Sequence, residues 1–174
     1  MSTLVVSNTS PVLNLALIGH LDLLRQQFGA VTVPRAVLDE LRLEDGLPGN
    51  EAINRAMADG WIKTVSVRSA GTVRVLSREI DLGESEAIAL ALELSAGLIL
   101  LDERDARQVA KRLCIQTTGV LGILLRGYRD GQIPDIEGAI RDLRDVAGFF
   151  VAPPLEREIL AQIRPGRSTR DDQK

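Results

Sequence analysis

Short aliphatic runs that stop at a polar residue, separated by stretches with helical spacing, restrict this chain more than any other feature. Leu4–Val6 ends at Ser7-Asn8-Thr9-Ser10, and Leu98–Leu101 is a continuous apolar run ending at Asp102. A run that short, without polar alternation, reads as a strand buried on both faces, the condition of a parallel sheet. Ala30–Val33 and Cys114–Thr117 add two more short strands, and Ile62–Val67 alternates as a half-buried strand does. Strands alternating with helices imply a mostly parallel sheet covered on both faces. Ligands in such sheets bind beyond the carboxyl ends of the strands. Three strand ends therefore matter together: Asn8, Asp102 and Thr117-Thr118.

The helices between them carry their own boundary signals. Ser10 reads as an N-cap with Pro11 at the first helical position, and the helix runs through Leu13–Ile18 to Gly19. Leu21–Phe28 follows. Pro34 starts Arg35–Arg42, and Gly46, Pro48 and Gly49 break the pattern before Glu51–Asp59. Ser69–Gly71 reads as a loop, and Thr72–Ile80 is ambiguous. Asp81-Leu82-Gly83-Glu84 has the form of a capping box, opening a helix that Gly97 ends. Further helices are expected at Glu103–Leu113, Val120–Tyr128 (with Thr118 as its cap), Ile136–Val146 and Leu155–Ile163. Phe149–Val151 reads as strand or extended chain. Residues 1–163 form one domain in this reading, and Arg164–Lys174 is a polar, frayed tail.

Composition narrows the function classes. The chain has 174 residues, 45% hydrophobic and 26% charged, which suits one globular domain with a real core. No apolar run is long enough for a membrane span, and no secretory leader is evident, so no membrane association is expected. Cys114 is the one cysteine, so no internal disulfide forms, in keeping with a cytoplasmic location. A net charge of −3 argues against nucleic-acid binding by bulk charge, and 3% aromatic residues are too few for a base-stacking platform. Any nucleic-acid contact must be local: a small basic patch, or metal ions bridging to phosphate.

Oxygen ligands occur at four places that such a sheet would bring together: Asn8, Glu40, Glu84 and Asp102, with Glu86, Glu103 and Asp105 as further candidates. Gathered carboxylates repel one another and resist desolvation. Mg²⁺ or Mn²⁺ reverses both penalties, prefers oxygen ligands, and can activate water for phosphodiester hydrolysis. Each acidic position taken alone reads as solvated surface.

The order VVSNTSP, VTVPRAVLDEL, LGESEAIALALEL, LILLDERDARQVA and TTGVLGILL resembles a PIN domain, over roughly residues 3–163. More closely it resembles the branch that includes VapC-type toxins of prokaryotic toxin–antitoxin modules. The resemblance implies a three-layer α/β/α sandwich with a central parallel sheet and a metal-dependent ribonuclease site. It also implies Mg²⁺ or Mn²⁺ as cofactor, RNA as substrate, a small antitoxin-like protein as partner and a homodimer. Carried over by residue, Asn8 stands where the family usually has its first Asp. Glu40 matches the Glu of the second helix, and Glu84 matches the acid opening the helix before the third motif. Asp102, or Glu103 beside it, matches the acid after the following strand. Glu40, Glu84 and Asp102 are thus the implied catalytic set, and Asn8 joins them as metal ligands. An amide oxygen at Asn8 can still coordinate a hard cation but brings no charge. Turn chemistry is the competing explanation of Asn8.

Competing readings attach to the other residues. A capping role for Glu84 excludes a site role in the same rotamer, and Glu84 and Glu86 cannot face the same way. Arg104, Arg107 and Lys111 share a helical stripe suited to guiding phosphate, with Thr117, Thr118, Arg74 and Arg78 as possible additions; an ordinary solvated face is the alternative. Lone His20 argues against histidine-based acid–base chemistry. Cys114 is expected in the core, and Trp61 and Tyr128 in packing roles. A catalytically weak or inactive PIN-fold binding module is the alternative function, with Asn8 as the lesion. A phosphoryl-accepting signalling domain lacks its lysine, and a phosphatase lacks its paired aspartates.

Overall fold

A computed structural model describes residues 4–163. The expectations for Arg164–Lys174 lie outside these residues. Five parallel strands, β1 (Val5–Ser7), β2 (Val31–Pro34), β3 (Ile62–Val65), β4 (Leu98–Leu100) and β5 (Thr117–Thr118), form one sheet in the order β3-β2-β1-β4-β5. The helices are α1 (Thr9–Leu17), α2 (Asp22–Phe28), α3 (Arg35–Leu41), α4 (Asn50–Ala58), α5 (Ala70–Leu76), α6 (Leu82–Glu93), α7 (Arg104–Arg112), α8 (Val120–Arg129), α9 (Ile136–Asp145) and α10 (Pro153–Ile163). Among the described residues no helix is long and apolar enough to cross a membrane.

Successive side chains of a strand leave the sheet on opposite faces, and the core divides accordingly. Val5, Val31, Val33 and Leu100 pack with α1, α2, α4, α8 and α9 on one face; Val6, Ile99 and Leu101 pack with α5, α6 and α7 on the other. The architecture is the three-layer α/β/α sandwich implied by the resemblance. Both faces of β1 are covered, so even Ser7 is fully buried, and its hydroxyl donates to the Asn8 carbonyl at 2.9 Å.

The chain builds outward from β1 through β2 to β3, then returns to the other side of β1 for β4 and β5. That reversal opens a crevice between the carboxyl ends of β1 and β4, where ligands bind in open α/β sheets. Ser7 pairs with Leu100, and the Asn8 N–H donates to the Leu100 carbonyl at 3.1 Å. Asn8 and Asp102 therefore leave the sheet on neighbouring strands at this crevice.

Four local expectations are corrected. α1 starts at Thr9, not after Ser10, so Pro11 is its third residue; the first N–H groups of a helix have no internal acceptor, and proline loses nothing there. The ambiguous Thr72–Ile80 stretch contributes to α5, capped by the Ser69 hydroxyl, which accepts from the Thr72 N–H. β5 is confined to Thr117–Thr118, because α7 turns out through Cys114 in a left-handed conformation (φ 59°) that no strand residue adopts. Cys114 is consequently exposed rather than part of the core. Trp61 is buried and Tyr128 packs against the larger core, as expected.

Candidate metal and phosphodiester site

The side chains at the crevice come from the ends of β1 and β4 and from the helices that follow β2, α5 and β4. Asn8 occupies the N-cap position of α1 in extended geometry, yet its side chain makes no capping bond. The residue is 5% exposed, and its Oδ1 atom is buried without a hydrogen-bond partner. A buried acceptor left unpaired costs folding free energy of about 1–3 kcal/mol. Turn chemistry does not account for this oxygen.

Glu40 lies near the end of α3. Its Oε2 atom accepts from the Thr9 hydroxyl, one residue after Asn8. Its carboxylate rests over Gly83, where a Cβ on residue 83 would collide with it. Gly83 thus leaves the space in which Glu40 approaches the first turn of α6.

Glu84 caps its helix with one carboxylate oxygen and leaves the other unengaged. The capping box is complete: the Glu84 N–H donates to Asp81 Oδ1 at 2.8 Å, and the Asp81 N–H donates to Glu84 Oε2 at 3.2 Å. The other oxygen, Oε1, is buried with no partner. A carboxylate has two oxygens, so one caps while the other remains available. Burial, then the Asp81 carboxylate, push the Glu84 carboxyl up from 4.5 to about 7; the bond from the Asp81 backbone opposes this, and Glu103 and Glu40 add to the rise. Glu103 and Asp105 line the same cleft as Glu84, with Arg78 and Arg104 at its wall.

Glu86 does not join them. It sits two positions on from Glu84, about 200° around the helix, and its Oε2 accepts the Ala36 N–H at 3.0 Å. Through that oxygen its carboxylate satisfies the first turn of α3.

Asp102 is fixed from two sides. Oδ2 accepts the Ser10 hydroxyl at 2.6 Å, and Oδ1 accepts the Val120 N–H at 2.7 Å, at the start of α8. Asp102 thereby does the capping expected of Thr118; the N-cap residue itself is Gly119, without a side chain to use. A Cβ on Gly119 would stand 2.6 Å from Asp102 Oδ1. Burial raises the Asp102 carboxyl above its ordinary range, and the bonds from Ser10 and Val120, then the Arg107 charge, pull it back.

Sequence reasoning missed Thr9, Ser10 and Asn14. Asn14 is buried and its Nδ2 donates to Ser10 Oγ at 2.9 Å, holding the hydroxyl that serves Asp102. The available signal was an asparagine inside the aliphatic helix VLNLAL, four residues after Ser10 and so on its face.

The basic stripe becomes one wall of a cleft. Arg104, Arg107 and Lys111 line it with Gln108, Gln116 and Thr117, and Asp102 stands at its edge. Thr118 lies on the far side of Asp102, beside Arg107 and Gly119. Arg74 is exposed on α5.

Among the described residues, no three His, Cys, Asp or Glu side chains converge closely enough to hold a metal ion by themselves. That rules against a cage of protein ligands alone. It is compatible with Mg²⁺, which keeps several waters and takes one or two carboxylates. Of the five buried side-chain oxygens without a partner among the described residues, Asn8 Oδ1 and Glu84 Oε1 belong to the candidate ligands; with a carboxyl held near 7 by desolvation and like charge, they suit a hydrated divalent cation.

A family model described as a PIN domain matches residues 4–165 of this chain. No curated protein matches it.

Proposed function

This chain belongs to the PIN-domain family, a nuclease-type fold, and on that premise we propose that it is a metal-dependent ribonuclease acting as the toxin of a toxin–antitoxin module. The observation that supports the reading is that two of the candidate ligands, Asn8 after β1 and Glu84 in the first turn of α6, each hold a buried oxygen without a hydrogen-bond partner. Asn8, Glu40, Glu84 and Asp102 would hold Mg²⁺ or Mn²⁺ through oxygen and water, with Glu103 and Asp105 at the rim. The ion, when bound, supplies charge stabilisation and an acidified water for phosphodiester hydrolysis. Thr9 orients the Glu40 carboxylate, and Ser10 and the Val120 N–H orient that of Asp102. Arg104, Arg107 and Lys111 draw the RNA phosphates alongside, and Thr117 and Thr118 offer hydroxyls to them. The same reading includes a small antitoxin-like protein as inhibitor and a homodimer as the working form.

The test is cleavage of single-stranded RNA in Mg²⁺ and Mn²⁺, with EDTA controls, by the wild type, Glu40→Ala and Asp102→Asn. Metal-dependent cleavage by the wild type and a loss of at least 100-fold in both variants are expected. Equal activity or equal inertness in all three overturns the assignment. Asn8 favours a second reading, a binding module with weak or no cleavage, because its amide brings no charge to the cation. The wild type and Asn8→Asp together separate the two: a working nuclease cleaves as it stands, whereas a binding module with Asn8 as its lesion is inert until Asn8→Asp restores the charge.

A further inference from the structure

We propose that the pocket between Asp102 and Phe150 receives one unstacked nucleobase of the RNA; this inference rests on the ribonuclease reading above and specifies how that site grips its substrate. The pocket holds about 350 Å³, at the low end of the roughly 300–1,000 Å³ typical of small-ligand sites. Asp102, Arg107 and Thr118 line it with Glu158 and Gln162, and its apolar wall includes Leu125, Phe149 and Phe150.

Three observations choose the occupant. First, Asp102 and Arg107 also line the basic cleft, so the two spaces adjoin through shared side chains. A strand whose phosphate meets Arg107 has a base within reach of the pocket. Second, Phe150 is 81% exposed, more than any other large hydrophobic residue described. It contributes little to the core, and Gly148 (φ +66°) turns the backbone just before it. A singly exposed hydrophobic residue is ordinary, but Phe150 lines a pocket that shares Asp102 and Arg107 with the basic cleft. The chain has only three phenylalanines, and two of them line this pocket. That is too few for a stacking platform, but one ring suffices for one base. Third, the pocket pairs an apolar face with a guanidinium and two carboxylates, one of which, Asp102, is already held by Ser10 and Val120. A nucleobase presents a flat apolar face, hydrogen-bonding edges and an attached anionic phosphate. An aliphatic peptide side chain would fill the apolar wall and make no use of the Arg107 guanidinium.

The experiment uses the full chain, in EDTA and again in Ca²⁺, and fluorescence anisotropy with two labelled strands. One is a short single-stranded RNA; the other is a ribose-phosphate strand of equal length without bases. The wild type should bind the base-containing strand more tightly. Phe150→Ala should weaken that binding about 10-fold, the usual scale of one base–aromatic stack, and leave the abasic strand unchanged. Phe150→Trp should retain affinity, and its emission should be quenched by the base-containing strand alone. If Phe150→Ala binds both strands as the wild type does, or loses both equally, the base pocket is wrong while the ribonuclease reading stands. If the wild type binds neither strand, the ribonuclease reading falls and takes the pocket with it. If Phe150→Ala alters only the sedimenting mass, the pocket is an interface between copies and the proposal is overturned.

Discussion

A carboxyl that titrates near 7 in the folded chain and near 4.5 when exposed makes stability fall as pH rises between those values. Glu84 is such a group. Below about 4.5 both states hold the proton; between the two values the unfolded chain loses it first, so the folded state binds more protons and is progressively disfavoured. Above about 7 the penalty is constant, on the order of 1–3 kcal/mol. Glu84→Gln keeps an oxygen to accept the Asp81 N–H and removes the titration. Its melting temperature should match the wild type near pH 4.5 and exceed it by several degrees at pH 8. Thermal unfolding from pH 4.5 to 8 measures this, and parallel curves for the two proteins would show that Glu84 is not held uncharged by its surroundings. At this scale the sequence disclosed the kind of residue but not its orientation. Asp81, Glu84 and the capping pattern were legible because they are local. The raised titration of the Glu84 carboxyl was not, since Glu103 and Glu40, which add to it, arrive from other elements. The engagement of Glu86 was hidden for the same reason: its donor, the Ala36 N–H, lies 50 residues away.

α6 does more than bury an apolar face. Its first turn contains a glycine where alanine would ordinarily favour a helix by about 0.5–1 kcal/mol. The Glu40 carboxylate occupies the space in question, so the helix forgoes a methyl group to let α3 deliver an acid. Gly83→Ala should change stability by less than about 1 kcal/mol, because the displaced group is the far end of a flexible side chain. It should weaken Mn²⁺ binding on the order of 10-fold, as changes that misorient a metal ligand do. Titration calorimetry and thermal unfolding on the same preparations separate the two effects. Unchanged Mn²⁺ affinity would mean that Glu40 need not lie over α6 to serve the ion. Elements with strong periodicity or paired boundary signals, such as α6, α7 and β4, could be placed from sequence. α5 could not, since it is short and its cap is a serine hydroxyl accepting from Thr72 three positions on. The start of α1 was misplaced because Ser10 and Pro11 carry a cap signal, while Ser10 is drawn instead to Asp102, 92 residues away.

Over the whole molecule, a net charge of −3 has to coexist with RNA binding. The parallel sandwich was legible because strand–helix alternation leaves few other arrangements, and its order then brings the ends of β1 and β4 together. Which surface carries the cations was not legible, because stripe spacing alone does not distinguish a binding strip from a solvated face. The fold places Arg104, Arg107 and Lys111 along one cleft, and among the described residues none of the three is engaged in a salt bridge. Cations outside any salt bridge can contact phosphates directly, whereas the protein's overall field repels them. Affinity should then fall with salt according to the few phosphates touched, at about −0.7 per contact in log K against log salt for a single strand. Arg104→Gln with Lys111→Gln removes two contacts and should flatten that slope by about 1.4. Exchanging Arg126 and Arg129 of α8, which do not line the cleft, for Gln changes net charge equally and should leave the slope close to its original value. Equal flattening by both pairs would mean that RNA responds to total charge, and the cleft would lose its claim to the phosphates.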